Sequence, residues 1–282
     1  MSWAAILGRV TSHLEGASKA PFTHVVADEA QDLGVPQLRM LASLVRPGDP
    51  DALFFAGDLG QRIFQHPFSW LSLGIDVRGR SLSLKVNYRT SHQIRRRADV
   101  LLPLQVRDVD GVEDSRRGTI SVFDGPEPII RSFDSAIEEV EFIGTWVRDV
   151  IENGAHPDEV AVFVRTDEQL SRARDAVKRA GQKALTLGDR PQEEADRVMI
   201  GTMHLAKGLE FKAVAVMACD DDVLPLQERI ETASDESELE EVYDTERHLL
   251  YVACTRARDQ VTVTGVDPAS EFLEDLRAGG RP

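Results

Sequence analysis

The chain has 282 residues, 42% of them hydrophobic, and a formal net charge of −15. That is enough apolar material for one large or two smaller packed domains, and it excludes compositional disorder. No apolar run approaches the roughly 18 to 20 residues that cross a bilayer and no basic-then-apolar leader opens the chain, so a cytoplasmic location and no membrane partner are expected.

Short apolar runs alternate with helical patterns along the whole length, which predicts an α/β fold: parallel sheets flanked by helices. Candidate strands lie at 23 to 28, 52 to 57, 81 to 86, 118 to 123, 159 to 164, 197 to 202, 213 to 218 and 261 to 264. Ser135 with Glu138 forms a capping-box start, and Ile137, Val140, Ile143, Val147, Val150 and Ile151 follow at helical spacing until Asn153-Gly154 ends the helix. Further helices are predicted from Asp167 to Ala180 and from about Glu238 to Ala257, whereas 103 to 117 reads as a polar, irregular connection. A boundary near residue 88 divides the chain into a first domain, 1 to 88, and a second, 89 to 282.

The first strand ends in Val25-Val26-Ala27-Asp28-Glu29-Ala30-Gln31-Asp32. A buried strand of this kind delivers Asp28 to the edge of a sheet, where a carboxylate can hold Mg²⁺, while Glu29 can orient and deprotonate an attacking water. After the next strand, Gly57 to Phe64 forms a polar turn where α/β sheets bind ligands. Gln61 can hydrogen-bond an attacking water there, and Phe64 offers a face to a nucleobase. At the end of the third strand, Tyr88 could stack on adenine and Arg89 could reach a transferring phosphoryl group.

Cys219 and Cys254 have neither metal-ligand spacing nor the density of a disulfide scaffold, so reduced thiols are expected. The net charge argues against a nucleic-acid partner until its distribution is considered. Eight acidic residues and no basic one lie between Glu231 and Glu246, about half of the net charge, while Arg95-Arg96-Arg97 and Arg116-Arg117 are basic and read as solvated faces or loops.

Together these segments resemble the C-terminal part of a UvrD/Rep-type (superfamily 1A) DNA helicase. The resemblance places the Walker B motif at Asp28 to Asp32, motif III at Gly57 to Phe64 and motif IV at Asn87 to Thr90. Arg165-Thr166 with Gln169 resembles motif IVa, Gly201 to Phe211 motif V, and Leu250 to Ala257 motif VI. The implied fold is a pair of RecA-like sheets of the P-loop NTPase helicase type, the first domain incomplete. Implied cofactors are ATP and Mg²⁺, with Asp28 the metal ligand and Glu29 the activator of water. Gln61 would couple nucleotide state to DNA, and Arg89 and Arg256 would contact the γ-phosphate from the second domain. Tyr88, Gly208 and Glu210 belong to the nucleotide side, Glu210 at the ribose, while Phe64, Thr202, His204 and Lys207 belong to the DNA side. The implied partner is single-stranded DNA, or duplex with a single-stranded tail.

Three departures from the family pattern stand out. G-x-x-x-x-G-K-[ST], which cradles the phosphates, occurs nowhere in the sequence, so the chain alone is expected to be inactive, with a missing N-terminal segment or a partner chain supplying the loop. Phe64 is followed by Gln65-His66-Pro67-Phe68-Ser69-Trp70, where family members often continue with Trp-Arg-Gly. About 110 residues separate motifs IV and V, which leaves little or no room for the insertion called 2B. The resemblance implies a 3′ to 5′ translocase acting in repair or recombination; the alternative is a noncatalytic helicase-like DNA-binding or interaction module.

Overall fold

The computed structural model describes residues 2–279 apart from 50, 59–68, 78, 104, 108–112, 116–117 and 189–195, and of 105–107 and 113–115 it describes the backbone alone. In chain order the elements are α1 (Trp3–Glu15), β1 (Val25–Ala27), α2 (Val35–Ser43), β2 (Leu53–Phe55), β3 (Val86–Asn87), α3 (His92–Ala98), β4 (Gln105–Arg107), β5 (Glu113–Ser115), β6 (Ile120–Ser121) and β7 (Ile129–Phe133). They continue with α4 (Ala136–Glu152), β8 (Val160–Val164), α5 (Leu170–Arg179), β9 (Ala184–Thr186), β10 (Val198–Thr202), β11 (Phe211–Val216), α6 (Gln227–Thr232), α7 (Glu236–Thr255), β12 (Ala257–Val266) and α8 (Glu271–Ala278). Contacts divide the chain into two compact units, Met1–Leu84 with Leu104–Arg117, and Lys85–Pro103 with Gly118–Pro282.

In the first unit β1 and β2 pair in parallel, Val26 opposite Phe54, and α1 packs on α2. The outward face of that pair is apolar: Val26 is 74% and Phe54 63% exposed. The segment read as an irregular connection contains instead the antiparallel pair β4–β5.

In the second unit six strands form one parallel sheet in the order β7-β12-β11-β8-β10-β9. All five residues of β8, Val-Ala-Val-Phe-Val, are buried, as the unbroken apolar run requires of a strand covered on both faces. Against it lie Ile143, Val147 and Val150 of α4 and Ala173, Ala176 and Val177 of α5. Ser135 Oγ accepts the Glu138 N–H at 3.3 Å, so α4 starts where the capping pattern places its start. Gly144 lets α4 and α5 approach closely, since a Cβ there would lie 2.7 Å from Arg179 Cβ.

A buried polar network ties the helices to the sheet's C-terminal edge. Glu139 Oε1 accepts from Thr264 Oγ1 at 2.6 Å and from the Ala218 N–H at 3.0 Å, and Glu139 Oε2 pairs with Arg172 Nη2. Arg172 Nη1 also meets Asp220 Oδ2 at 2.7 Å, and Asp220 Oδ1 accepts the Val266 N–H at 2.7 Å. α4, α5, β11 and β12 are thereby locked in one register. Burial raises the pKa of Glu139 although Arg172 pulls it down, and burial pushes Cys219 well up and Cys254 to about 12, so both cysteines stay protonated thiols.

The triple arginine on α3 is not a solvated face. Arg95 bonds Asp99, Ser121 and the Thr119 carbonyl, Arg96 pairs with Glu127, and Arg97 spans Glu127 and the carbonyls of Leu276 and Arg277. These cations hold α3 to β6 and α8.

Candidate nucleotide and DNA site

In the first unit Asp28 and Glu29 follow β1 directly and are exposed. Glu29 has φ 51°, a left-handed conformation uncommon for a residue with a side chain, and its N–H donates to Asp28 Oδ1 at 2.8 Å. Gln31, buried, donates from Nε2 to Glu29 Oε2 and accepts the Asp58 N–H at Oε1, 3.1 Å away. One side-chain amide therefore joins the acidic turn to the start of the polar turn after β2. Gly57 leaves room for that amide, because a Cβ on it would collide with Gln31 Oε1. Gln61 and Phe64 lie outside the described residues. No cluster of three or more His, Cys, Asp or Glu suited to a metal occurs among the described residues. A Mg²⁺ that keeps its waters and substrate oxygens needs only one or two protein carboxylates, and exposed Asp28 fits that role.

In the second unit the residues expected to face nucleotide converge at the sheet's N-terminal edge. Asn87 Oδ1 accepts the N–H groups of Arg89 and Thr90 at 2.8 and 3.1 Å, an Asx turn that ends β3 and turns Arg89 outward. Thr90 Oγ1 bonds the Thr255 carbonyl at 3.5 Å and the Ser91 N–H bonds the Arg258 carbonyl at 3.0 Å. Motif IV is thus fastened to the junction of α7 and β12, the junction that carries Arg256.

Arg89 Nε meets Glu210 Oε2 at 2.9 Å, the two side chains 50% and 45% exposed. Tyr88 beside it is 74% exposed. Arg256 is turned inward, 2% exposed, with Nε on the Val252 carbonyl at 3.1 Å and Nη1 3.4 Å from the Leu209 carbonyl. A pocket of about 250 Å³ at the same edge is lined by Asp158, Glu159, Glu210, Phe211, Lys212 and Arg258. Arg258 is held by Asp259 at 2.8 and 2.9 Å, hydrogen bonds that raise its pKa further.

Thr202, His204, Lys207 and Gly208 lie on the connection that joins these two edges. β10 and β11 both pair in parallel with β8, so the chain must return from the C-terminal to the N-terminal edge between them. Such crossovers usually take a dozen or more residues and contain an α-helix. Here residues 203 to 210 suffice: a 3₁₀ turn, Met203–Ala206, and an extended piece through Gly208, whose φ of 77° suits glycine. The turn packs against α7. Thr202 is buried at the end of β10, whereas His204 and Lys207 are partly exposed. Burial lowers the His204 pKa, Arg165 and Arg229 adding to the fall while Glu246 and Asp167 oppose it.

Sequence reasoning missed Gln31 and Glu246. Gln31 stood inside the quoted acidic motif as a bystander, and its role required the Asp58 contact, 27 positions away. Glu246 falls within the acidic run of the sequence, yet it is fully buried; its place one helical turn before Leu249 and Leu250 is the available signal.

The second unit is thus an α/β domain whose six-stranded parallel sheet carries Arg89, Arg256 and Glu210 at one edge and the His204–Lys207 turn at the other. Residues 182–267 match the UvrD-like helicase C-terminal domain. The ATP-dependent DNA helicase Rep of Escherichia coli strain K12 is 28% identical over 150 residues, 53% of this chain and 20% of Rep. The ATP-dependent DNA helicase PcrA of Bacillus subtilis is 31% identical over 102 residues, 31% of this chain and 13% of PcrA. Among solved structures, the C-terminal domain of a possible DNA helicase from Lactobacillus plantarum WCFS1 aligns with a TM-score of 0.43 at 20% identity, over 67% of this chain and 94% of that one. Residues 182–267 thus match a UvrD-like helicase C-terminal domain, the chain is similar in sequence to the Rep and PcrA helicases, and its matched segment spans about a fifth of Rep.

Proposed function

We propose that this chain is the distal part of an ATP-dependent 3′ to 5′ DNA translocase, in which hydrolysis drives movement on single-stranded DNA during repair or recombination. The observation that carries the reading is the 203 to 210 crossover, which joins the His204–Lys207 turn at one sheet edge to Glu210, paired with Arg89, at the other. A strand of DNA held at the first end and a nucleotide held at the second would be connected by eight residues. On this reading residues 1 to 88 belong to the first motor domain and 89 to 282 to the second.

Within the proposal Asp28 would hold Mg²⁺, and a bound Mg²⁺ supplies neutralisation of developing charge on the phosphate oxygens. Glu29 takes the proton of the attacking water, kept in place by Gln31. Gln61 reads the nucleotide state. Glu210 receives the ribose hydroxyl, Gly208 shapes that approach, and Tyr88 stacks on the base. Arg89, released from Glu210, and Arg256, swung outward, bring two guanidiniums to the transferring phosphoryl group, where such an arginine is worth about 10³ to 10⁵ in rate. Thr202, His204 and Lys207 contact the strand, with Phe64 as a stacking surface. The phosphate cradle must come from a segment other than these 282 residues, which contain no G-x-x-x-x-G-K-[ST].

The test is fluorescence anisotropy of a labelled oligothymidylate with the full chain and with Lys207→Ala and Arg89→Ala. Lys207→Ala should weaken binding and lower the slope against log salt by about 0.7, the loss of one phosphate contact, while Arg89→Ala leaves binding unchanged. Equal affinity of the wild type and Lys207→Ala at every salt concentration contradicts the proposal.

A further inference from the structure

Glu246, near the middle of α7, is fully buried and belongs to none of the sequence motifs. Its carboxylate takes three N–H groups: Arg165 Nε at 2.6 Å, Arg165 Nη2 at 2.7 Å and Arg229 Nη1 at 3.0 Å. Arg165 stands directly after β8 at the sheet's C-terminal edge, Arg229 lies on α6, and half-buried His204 is close enough to feel all three charges. Burying an ion pair costs several kcal/mol of desolvation per ion, so apolar residues could stabilise this junction as well or better. A bidentate pair supplies what they cannot, a fixed orientation.

That orientation reaches the other edge of the sheet. Glu246 and Arg256 are ten positions apart on a continuous helix, about 15 Å of rise. At the far end the Arg256 carbonyl accepts the Phe211 N–H at 2.9 Å, and Arg256 Nη1 faces the Leu209 carbonyl. The 203 to 210 crossover therefore meets α7 twice: its 3₁₀ turn packs on the helix, and its far end lies against Arg256.

We infer that Glu246 is a positioning residue: gripped by Arg165 and Arg229, it fixes α7 against the His204 turn, so that a strand bound at that turn and Arg256 at the nucleotide edge move as one body. The inference rests on the proposed function for what binds at each end. The clamp itself is independent of that reading.

The experiment uses the full chain with ¹³C-labelled histidine, whose His204 ring signal is assigned among the seven histidines with His204→Asn. Its pH titration is followed in Glu246→Gln, Glu246→Asp and Arg229→Gln, beside oligothymidylate anisotropy and far-ultraviolet circular dichroism. The clamp predicts opposite shifts. Glu246→Gln removes an anion and leaves two arginines beside the ring, so the His204 midpoint falls; Arg229→Gln removes a cation, so it rises; Glu246→Asp restores the wild-type midpoint. Oligothymidylate affinity drops tenfold or more in Glu246→Gln and recovers in Glu246→Asp.

General loosening would instead expose the ring and raise the midpoint in every variant, which overturns the inference. So does a folded Glu246→Gln whose titration and affinity match the wild type, or, if that variant fails to fold, an Arg229→Gln that matches it. Opposite midpoint shifts in a chain that binds no oligothymidylate support the clamp and overturn the strand-binding reading.

Discussion

Two carboxylates in the second unit face arginine and differ in burial, so one substitution applied to both isolates what burial does. Glu246 has no exposed surface and accepts three N–H groups from Arg165 and Arg229, while Glu210 is 45% exposed and meets Arg89 once, at 2.9 Å. Glu246→Gln leaves Arg165, a side chain only 6% exposed, with a neutral neighbour in place of its counter-ion. Removing one partner of a buried pair costs about 3 to 5 kcal/mol, and the lower end applies because glutamine keeps one acceptor oxygen. Glu210→Gln breaks a pair screened by water, worth about 0 to 1 kcal/mol. For a domain of this size 1 kcal/mol moves Tm by about 2 to 4 °C, so Glu246→Gln should lower it by roughly 6 to 12 °C and Glu210→Gln by less than about 4 °C. Thermal unfolding followed by circular dichroism at fixed pH and salt measures both. Equal losses would refute the argument from burial.

Glu139 gives a pH-dependent prediction. Its raised pKa means that the folded state holds the proton more tightly than the unfolded state, so its contribution is complete below the ordinary value of 4.5 and is lost as pH rises through the folded value. The Tm difference between Glu139→Gln and the wild type should therefore shift in the variant's favour as pH rises from about 4 to about 7, and a constant difference contradicts the reasoning. Gly144→Ala sets a helix-propensity gain of about 1 kcal/mol against an overpacking cost of about 1 to 3. Because the new Cβ would meet Arg179 near its backbone, at 2.7 and 2.8 Å, the cost should win and Tm should fall by a few degrees; an unchanged or higher Tm shows that α4 and α5 separate easily. With Val26 and Phe54 exposed on a two-stranded sheet, amides of β1 and β2 should exchange faster than those of β8, β10 and β11. Slower exchange in β1 and β2 contradicts that.

Much of the second unit was legible where side chains and pattern agree. The predicted strands 159 to 164 and 197 to 202 overlap β8 and β10, and the Ser135 cap opens α4. β7 escaped because an edge strand reading Ile-Ile-Arg-Ser-Phe is only half apolar, and β9 because three residues carry no period. The predicted helix from Asp167 opens with a 3₁₀ turn before α5. The polar residues of motifs IV to VI were visible as types at fixed spacings. What no spacing could reveal is that Arg89 pairs with Glu210, that Arg256 is turned inward, or that Glu246 is buried, since each depends on a partner 47 or more positions distant or on the packing of α7.

The proposed motor needs Glu29, Arg89 and Arg256, and these 282 residues contain no G-x-x-x-x-G-K-[ST] to cradle the triphosphate. The most direct measurement is phosphate release from Mg-ATP by the purified chain, with and without single-stranded DNA, beside Glu29→Gln. The expected result is no release above the blank in any of the four reactions. DNA-stimulated release that disappears in Glu29→Gln would show a complete hydrolytic site within these residues and contradict it.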